Sequence, residues 1–226
     1  MLRTAVAGPS LAPASARATQ SLWENETAMP NTSTRRILLS DVKATPWKNG
    51  GGITREIATG GVGTGQDWGW RVSIADVERD GPFSIFPNTD RVIAVIDGAG
   101  MDLRDSEGIV TALEPFHTVG ISGDDPLFGR LRRGPVRDLN VMTLRDRFAA
   151  TLDIWHGPRA ATLEVGKNDC VLVHSLNGSC AVRVGGETHQ LAPAETLLRQ
   201  GQDSLEIQLA ADVRCAVIRI APRMTN

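Results

Sequence analysis

From Arg35 onward the chain alternates short apolar runs with polar positions, and Gly, Pro, Asn and Asp break the runs at short intervals. That rhythm predicts β-strands of a sandwich or barrel. Candidate strands cover residues 35–39, 53–58, 68–77, 91–96, 109–113, 116–121 and 138–144 in a first series. A second series covers 150–155, 161–165, 170–176, 180–184, 205–209 and 213–220. Turn chemistry separates them, as at Asp97-Gly98-Ala99-Gly100, Asn177-Gly178 and Gly185-Gly186. No stretch carries an amphipathic helix of three turns, so an all-β core with few short helices is expected.

The two series meet near 145–150. Each contains a strand, Gly turn, strand unit, through Asp97-Gly98 in one and Asn177-Gly178 in the other. This predicts a degenerate duplication read from rhythm, not from side-chain identity. Residues 1–33 differ: Ala, Ser and Pro dominate, no acid precedes Glu24, and Gly8, Pro9, Ser10 and Pro13 interrupt any apolar segment. They read as a disordered extension and not as a secretory signal, with Met29 an alternative start to Met1.

Composition narrows the function classes. The 226 residues carry 24 Lys and Arg against 26 Asp and Glu, a formal charge of −2. Neither a nucleic-acid partner nor a polybasic membrane role follows from that balance. There is no Tyr, and the four His (117, 156, 174 and 189) and three Cys (170, 180 and 215) show no metal-ligand spacing. The cysteines read as buried apolar side chains of a reducing compartment, so a soluble cytoplasmic protein without metal or cofactor is expected.

Candidate chemistry concentrates in the first series. Trp47-Lys48-Asn49-Gly50-Gly51-Gly52-Ile53-Thr54-Arg55-Glu56 joins three glycines to ring, donor and acceptor side chains. It matches no phosphate-binding loop, leaving a ligand-binding loop or a plain turn. Strand alternation puts Thr54, Glu56 and Ala58 on one face, and Arg71 and Ser73 together between Gly69 and Ala75. An Arg and a Ser so placed could fork a planar anion or form a solvated face. The segment 80–91 could fold back over an apolar mouth or be an ordinary connection, and Asp90-Arg91 reads as a local ion pair. Asp138, Asn140 and Met142 share a face, with Asn140 either structural or a ligand contact. Glu56 and Asp138 form a conceivable carboxylate pair, and His117 a conceivable pocket neighbour.

Trp47-Lys48-Asn49-Gly50-Gly51-Gly52-x-Thr54-Arg55-Glu56, Trp70-Arg71-x-Ser73-x-Ala75, Asp80-Gly81-Pro82-Phe83-Ser84, Asp90-Arg91 and Gly134-Pro135-x-x-Asp138-Leu139-Asn140-Val141-Met142 resemble the HutD/Ves family. The resemblance spans about residues 35–220 and is motif-specific in the first half. It implies a bicupin, with residues 34–147 as a first cupin-like barrel bearing the pocket and 148–226 as a second. It also implies a regulator associated with histidine utilisation that binds a small carboxylate metabolite, such as urocanate or a formylated glutamate, without metal.

Trp47, Lys48, Asn49, Thr54, Glu56, Arg71, Ser73 and Asn140 are the pocket residues so implied. Arg71 would be the carboxylate fork, Lys48 an auxiliary charge, and Asn49 and Asn140 amide-type hydrogen-bonders. A homodimer is compatible with all of this. The alternatives are a metal-free cupin enzyme, isomerase or hydrolase, with Glu56 as base and Lys48 or Arg71 holding charge, and an interaction module docking through the glycine run. Fold alone does not separate these classes.

Overall fold

A computed structural model describes residues 32–61 and 67–223. The described residues are all-β, with one 3-10 turn at Leu39–Asp41. Residues 1–31 of the expected extension, Met29 among them, lie outside the described residues, whereas Ser33 already opens a strand.

The first eleven strands are β1 (Ser33–Leu38), β2 (Ala44–Pro46), β3 (Gly52–Gly60), β4 (Trp70–Val77), β5 (Gly81–Pro82), β6 (Thr89–Asp97), β7 (Met101–Arg104), β8 (Val110–Leu113), β9 (Thr118–Ser122), β10 (Phe128–Leu131) and β11 (Val136–Leu144). The others are β12 (Phe148–His156), β13 (Arg159–Val165), β14 (Cys170–Asn177), β15 (Cys180–Val184), β16 (Glu187–Leu191), β17 (Glu195–Gln200), β18 (Asp203–Leu209) and β19 (Arg214–Pro222).

They form four open sheets, ordered β2-β3-β4-β11-β6-β9, β5-β10-β7-β8, β1-β17-β14-β19-β12 and β13-β18-β15-β16. Counting each eight-strand run from its own start, β4 to β11 and β12 to β19 have one pairing pattern. Strands one, eight, three and six lie side by side, and so do two, seven, four and five. This is the strand order of a jelly roll, repeated. The duplication expected from rhythm is therefore present in the topology.

Two strands depart from sequence order. The β1 segment, read as the head of the first half, hydrogen-bonds along β17 in the second, from Ser33 opposite Gln200 to Leu38 opposite Glu195. Arg36 forms an ion pair with Glu195 there. In the first half the added strand stands at the opposite edge: β3 pairs with β4, strand one of its run, whereas β17 is strand six of the other.

Period-two alternation sorts the side chains into three cores. Trp70, Val72 and Ile74 of β4 and Leu139 and Val141 of β11 point away from the first half. They meet Phe148, Leu152, Leu172 and Ile218 across the seam between the two large sheets. The opposite face of β4, β6 and β11 gives Ala75, Val77, Ile93 and Val95 to a second core with Met101 and Leu103. The third core fills the second half with Val171, Val173, Val182, Leu205, Ile207 and Val217. A register shift between Glu56 and Ala58 turns Ala58 into the seam beside Ile57, so it does not share the face of Thr54 and Glu56 as simple alternation expects.

Candidate functional site

The inner face of β3, β4, β11 and β6 becomes the wall of a cavity of about 980 Å³. Register places its side chains in rows. Arg71, Met142 and Arg91 lie across β4, β11 and β6. Glu56, Ser73, Asn140 and Ile93 form the next row, and Thr54, Ala75, Asp138 and Val95 the third. Each member is two residues from the next along its strand, as a common face requires.

The rim is the hairpin between β2 and β3. Trp47 N–H donates to the Gly52 carbonyl at 2.9 Å, and Gly50 N–H to the Trp47 carbonyl at 3.0 Å. Gly50 takes a φ of +67°, which favours glycine. At Gly52 a Cβ would stand 2.4 Å from the Asp76 carbonyl oxygen, so only glycine lets β3 approach β4 there. The glycines thus serve the turn and strand contact, while Trp47, Lys48 and Asn49 contribute to the cavity lining. Trp47 Nε1–H donates to Thr54 Oγ1 at 2.7 Å, and Asn49 Oδ1 accepts from Gly51 N–H at 3.0 Å.

The segment after β5 closes the far side: Phe83, Ser84 and Phe86 line the cavity. The Arg91 guanidinium lies 5.3 Å from the Phe83 ring centre and 5.7 Å from that of Phe86, and Nη1 donates to the Ser84 carbonyl at 3.3 Å. Arg91 is not the local partner of Asp90. Adjacent strand residues point to opposite faces, and Asp90 instead accepts from Arg145 at 2.6 Å and from Arg223 at 3.3 Å.

Charge is graded from rim to depth. Glu56 has a half-exposed side chain and accepts from Arg71 Nε at 2.9 Å. Deeper, Arg91 is 5% exposed, Asp138 2% and Asn140 7%. Burial pushes the Asp138 carboxyl up to about 7; Arg91 pulls it down, Asp76 pushes it further up, and a hydrogen bond from Asn140 favours the charged form. Burial lowers Arg91 to about 10, with Asp138 opposing and Arg71 reinforcing the shift. Four cationic side chains (Lys43, Lys48, Arg71 and Arg91) line the cavity against Glu56 and Asp138. The arrangement favours an anion that can take several directed donors.

All eight residues singled out from sequence line this one cavity: Trp47, Lys48, Asn49, Thr54, Glu56, Arg71, Ser73 and Asn140. Sequence reasoning missed Arg91 as a cavity residue; strand alternation through 89–93 would have separated it from Asp90. It also missed Lys43. Glu56 and Asp138 share the cavity, but Arg71 holds the former and Asn140 the latter. His117 is exposed, with Nδ1 3.1 Å from the Pro115 carbonyl, and is not part of the lining. Arg55 pairs with Asp76 at 2.7 Å beside Arg137 at 2.6 Å, outside the lining.

Cys170, Cys180 and Cys215 are free thiols buried among apolar side chains. Among the described residues no three His, Cys, Asp or Glu side chains cluster to hold a metal ion. Nor is any helix of the described residues long and apolar enough to cross a membrane.

Residues 39–217 match the family model of HutD. The chain is 34% identical over 185 residues to an uncharacterised 21.2 kDa protein in the hutC 3' region of Pseudomonas putida, covering 81% of this chain and 95% of that one. Among solved structures it is similar to HutD from Pseudomonas fluorescens SBW25. The identity is 33% and the TM-score 0.73, covering 85% of this chain and all of the other. A cupin 2 conserved barrel domain protein from Leptotrichia buccalis, 8% identical with a TM-score of 0.56, shares the fold over 87% of this chain and all of its own.

Proposed function

The chain belongs to the HutD family, and from that premise we propose that it is a bicupin whose first barrel binds a small carboxylate metabolite. The observation that carries this reading is the row Arg71, Met142, Arg91: two guanidiniums flank one side chain on a largely buried wall. Arg71 keeps its terminal nitrogens out of the Glu56 contact, which uses Nε. Arg91 is anchored by two rings and the Ser84 carbonyl. Lys48 adds charge at the rim, and Asn49 and Asn140 supply amide groups.

Family membership supports a place in histidine utilisation, where a urocanate-like or formylglutamate-like acid would report flux and the protein would act as a regulator. The reading includes no metal, because neither histidine nor cysteine lines the cavity and Arg71 already holds Glu56. Buried free thiols suit a cytoplasmic setting.

Thermal-shift measurements with urocanate, N-formylglutamate, glutamate and imidazole propionate test the reading. Binding to the native state alone raises the melting temperature with ligand concentration. We expect stabilisation by at least one of these acids, and its loss in Arg71→Ala. A flat panel overturns the ligand class, and stabilisation that survives Arg71→Ala overturns the role of that side chain.

One observation favours a second reading as a metal-free enzyme: a buried carboxyl held near 7 suits a general base. That base would be Asp138, since Glu56 is half-exposed and paired with Arg71. NMR of the bound acid after long incubation separates the readings; new resonances mean turnover, and an unchanged spectrum means binding alone.

A further inference from the structure

The deep end of the cavity contains three buried polar atoms without a protein partner: Arg91 Nε, Asp138 Oδ1 and Asn140 Oδ1. All three residues line the cavity and are more than nine-tenths buried. Asp138 and Asn140 stand two residues apart on β11, with Val95 and Ile93 their neighbours across on β6, the strand that carries Arg91. Arg91 and Asp138 are opposite charges that influence one another, yet make no ion pair. Unsatisfied buried donors and acceptors carry a desolvation penalty, and native structures seldom leave three together without use.

The polarity of the trio is specific. Two acceptors and one donor face a ligand that must supply at least one hydrogen to the acceptors and one lone pair to Arg91. A second carboxylate at this end would meet Asp138 with like charge. An amide meets the requirement, because its N–H and C=O are adjacent, and so does an imidazole with one N–H and one bare nitrogen.

We propose that Asp138, Asn140 and Arg91 form the specificity end of the pocket, selecting acids that carry an amide or imidazole N–H over acids of the same shape without one. Asp138 and Asn140 accept from the N–H, and Arg91 donates to the neighbouring oxygen or nitrogen. This rests on the carboxylate-binding reading above and adds the part of the ligand that faces away from its carboxylate. A site built to bond an N–H rejects the analogue lacking it, because its own polar groups are then buried unpaired.

The test compares matched probes by calorimetric titration of the full chain. One pair is urocanate and 3-(1,3-oxazol-5-yl)acrylate, where an oxygen replaces the ring N–H and the bare nitrogen is kept. The other is N-formyl-L-glutamate and its N-methyl derivative. We expect the N–H member of a pair to bind ~10–100-fold more tightly. In Asp138→Ala that ratio should fall towards one; in Asp138→Asn, which keeps one acceptor and the side-chain shape, it should fall part of the way.

For N-formyl-L-glutamate, affinity should rise as the pH rises through about 7, because the N–H bonds the ionised carboxylate. The charged groups around Asp138 in that range are Arg91 on β6, Arg71 and Asp76 on β4, Glu56 on β3, and Lys43 and Lys48 of the cavity lining. Equal binding within both pairs overturns the inference and leaves the carboxylate reading standing. So does an N–H preference unchanged in both Asp138 variants. No binding by any of the four acids overturns the carboxylate reading itself.

Discussion

The two halves of the molecule have the same strand order and opposite interiors. In the first, the rows across β4, β11 and β6 read Arg71, Met142, Arg91, then Ser73, Asn140, Ile93, then Ala75, Asp138, Val95. In the second, the rows across β12, β19 and β14 read Thr151, Arg219, Val171, then Asp153, Val217, Val173, then Trp155, Cys215, Ser175. Val171, Val173, Val217, Cys215 and Trp155 join a closed apolar core, whereas Arg71, Ser73, Arg91, Asp138, Asn140 and Met142 of the first set line open space and its β6 members Ile93 and Val95 are packed into a core. One strand order thus accompanies a filled apolar core or a polar cavity, according to what occupies the inward alternate positions. The second half takes its stability from burial. The first leaves Arg91 and Asp138 buried without an ion pair, a cost that the proposed ligand would offset.

Asp138 gives the largest expected difference between the halves. Its carboxyl sits near 7 in the folded chain against an ordinary 3.8. Stability contributed by the protonated form is present below about 4 and is lost as pH rises to about 7. Each pH unit across that window is worth ~1.4 kcal/mol, so the whole loss comes to about 4 kcal/mol. Denaturant titrations across pH 4–8 should show this decline in the wild type and a flatter profile in Asp138→Asn.

Exchanging polarity between the interiors comes next. Val217→Asn places an amide in the packed core, and chemical denaturation should report a loss of about 2–3 kcal/mol. The reverse exchange, Asn140→Val, should change stability by no more than about 1 kcal/mol while narrowing the preference among bound acids, since Asp138 remains as an acceptor. Equal costs at the two sites would break the contrast.

How much of this contrast could be read in the chain follows from the range of each interaction. Strand alternation is local, so the faces of β4 and β11 were legible, with Arg71 and Ser73 on one side and Trp70, Val72 and Ile74 on the other. The eight cavity residues were named because they fall in three short motifs that resemble the HutD/Ves family, whereas alternation alone left a plain turn or a solvated face open. Pairing is non-local, and that is where reading failed. Nothing within Ser33–Leu38 reports that it pairs with Glu195–Gln200, and nothing in Asp90-Arg91 reports Arg145 as the real partner of Asp90. The bulge that sends Ala58 into the seam is likewise a property of two strands, not one.

The smallest expected effect lies at the rim. Glu56→Gln frees Arg71 from a half-exposed ion pair. Pairs of that kind are worth up to about 1 kcal/mol, so affinity for a bound acid should rise by no more than about 5-fold by calorimetry. A fall would assign Glu56 a direct ligand contact.

The central claim is that the first half binds and the second half supports. The indole N–H resonances of Trp47, on the cavity wall, and Trp155, in the filled core, distinguish the halves in one experiment. Titrating 15N-labelled protein with N-formyl-L-glutamate, with resonances assigned by Trp→Phe substitutions, should move the Trp47 signal to saturation and leave that of Trp155 in place. Movement of Trp155 with Trp47 stationary would contradict the account.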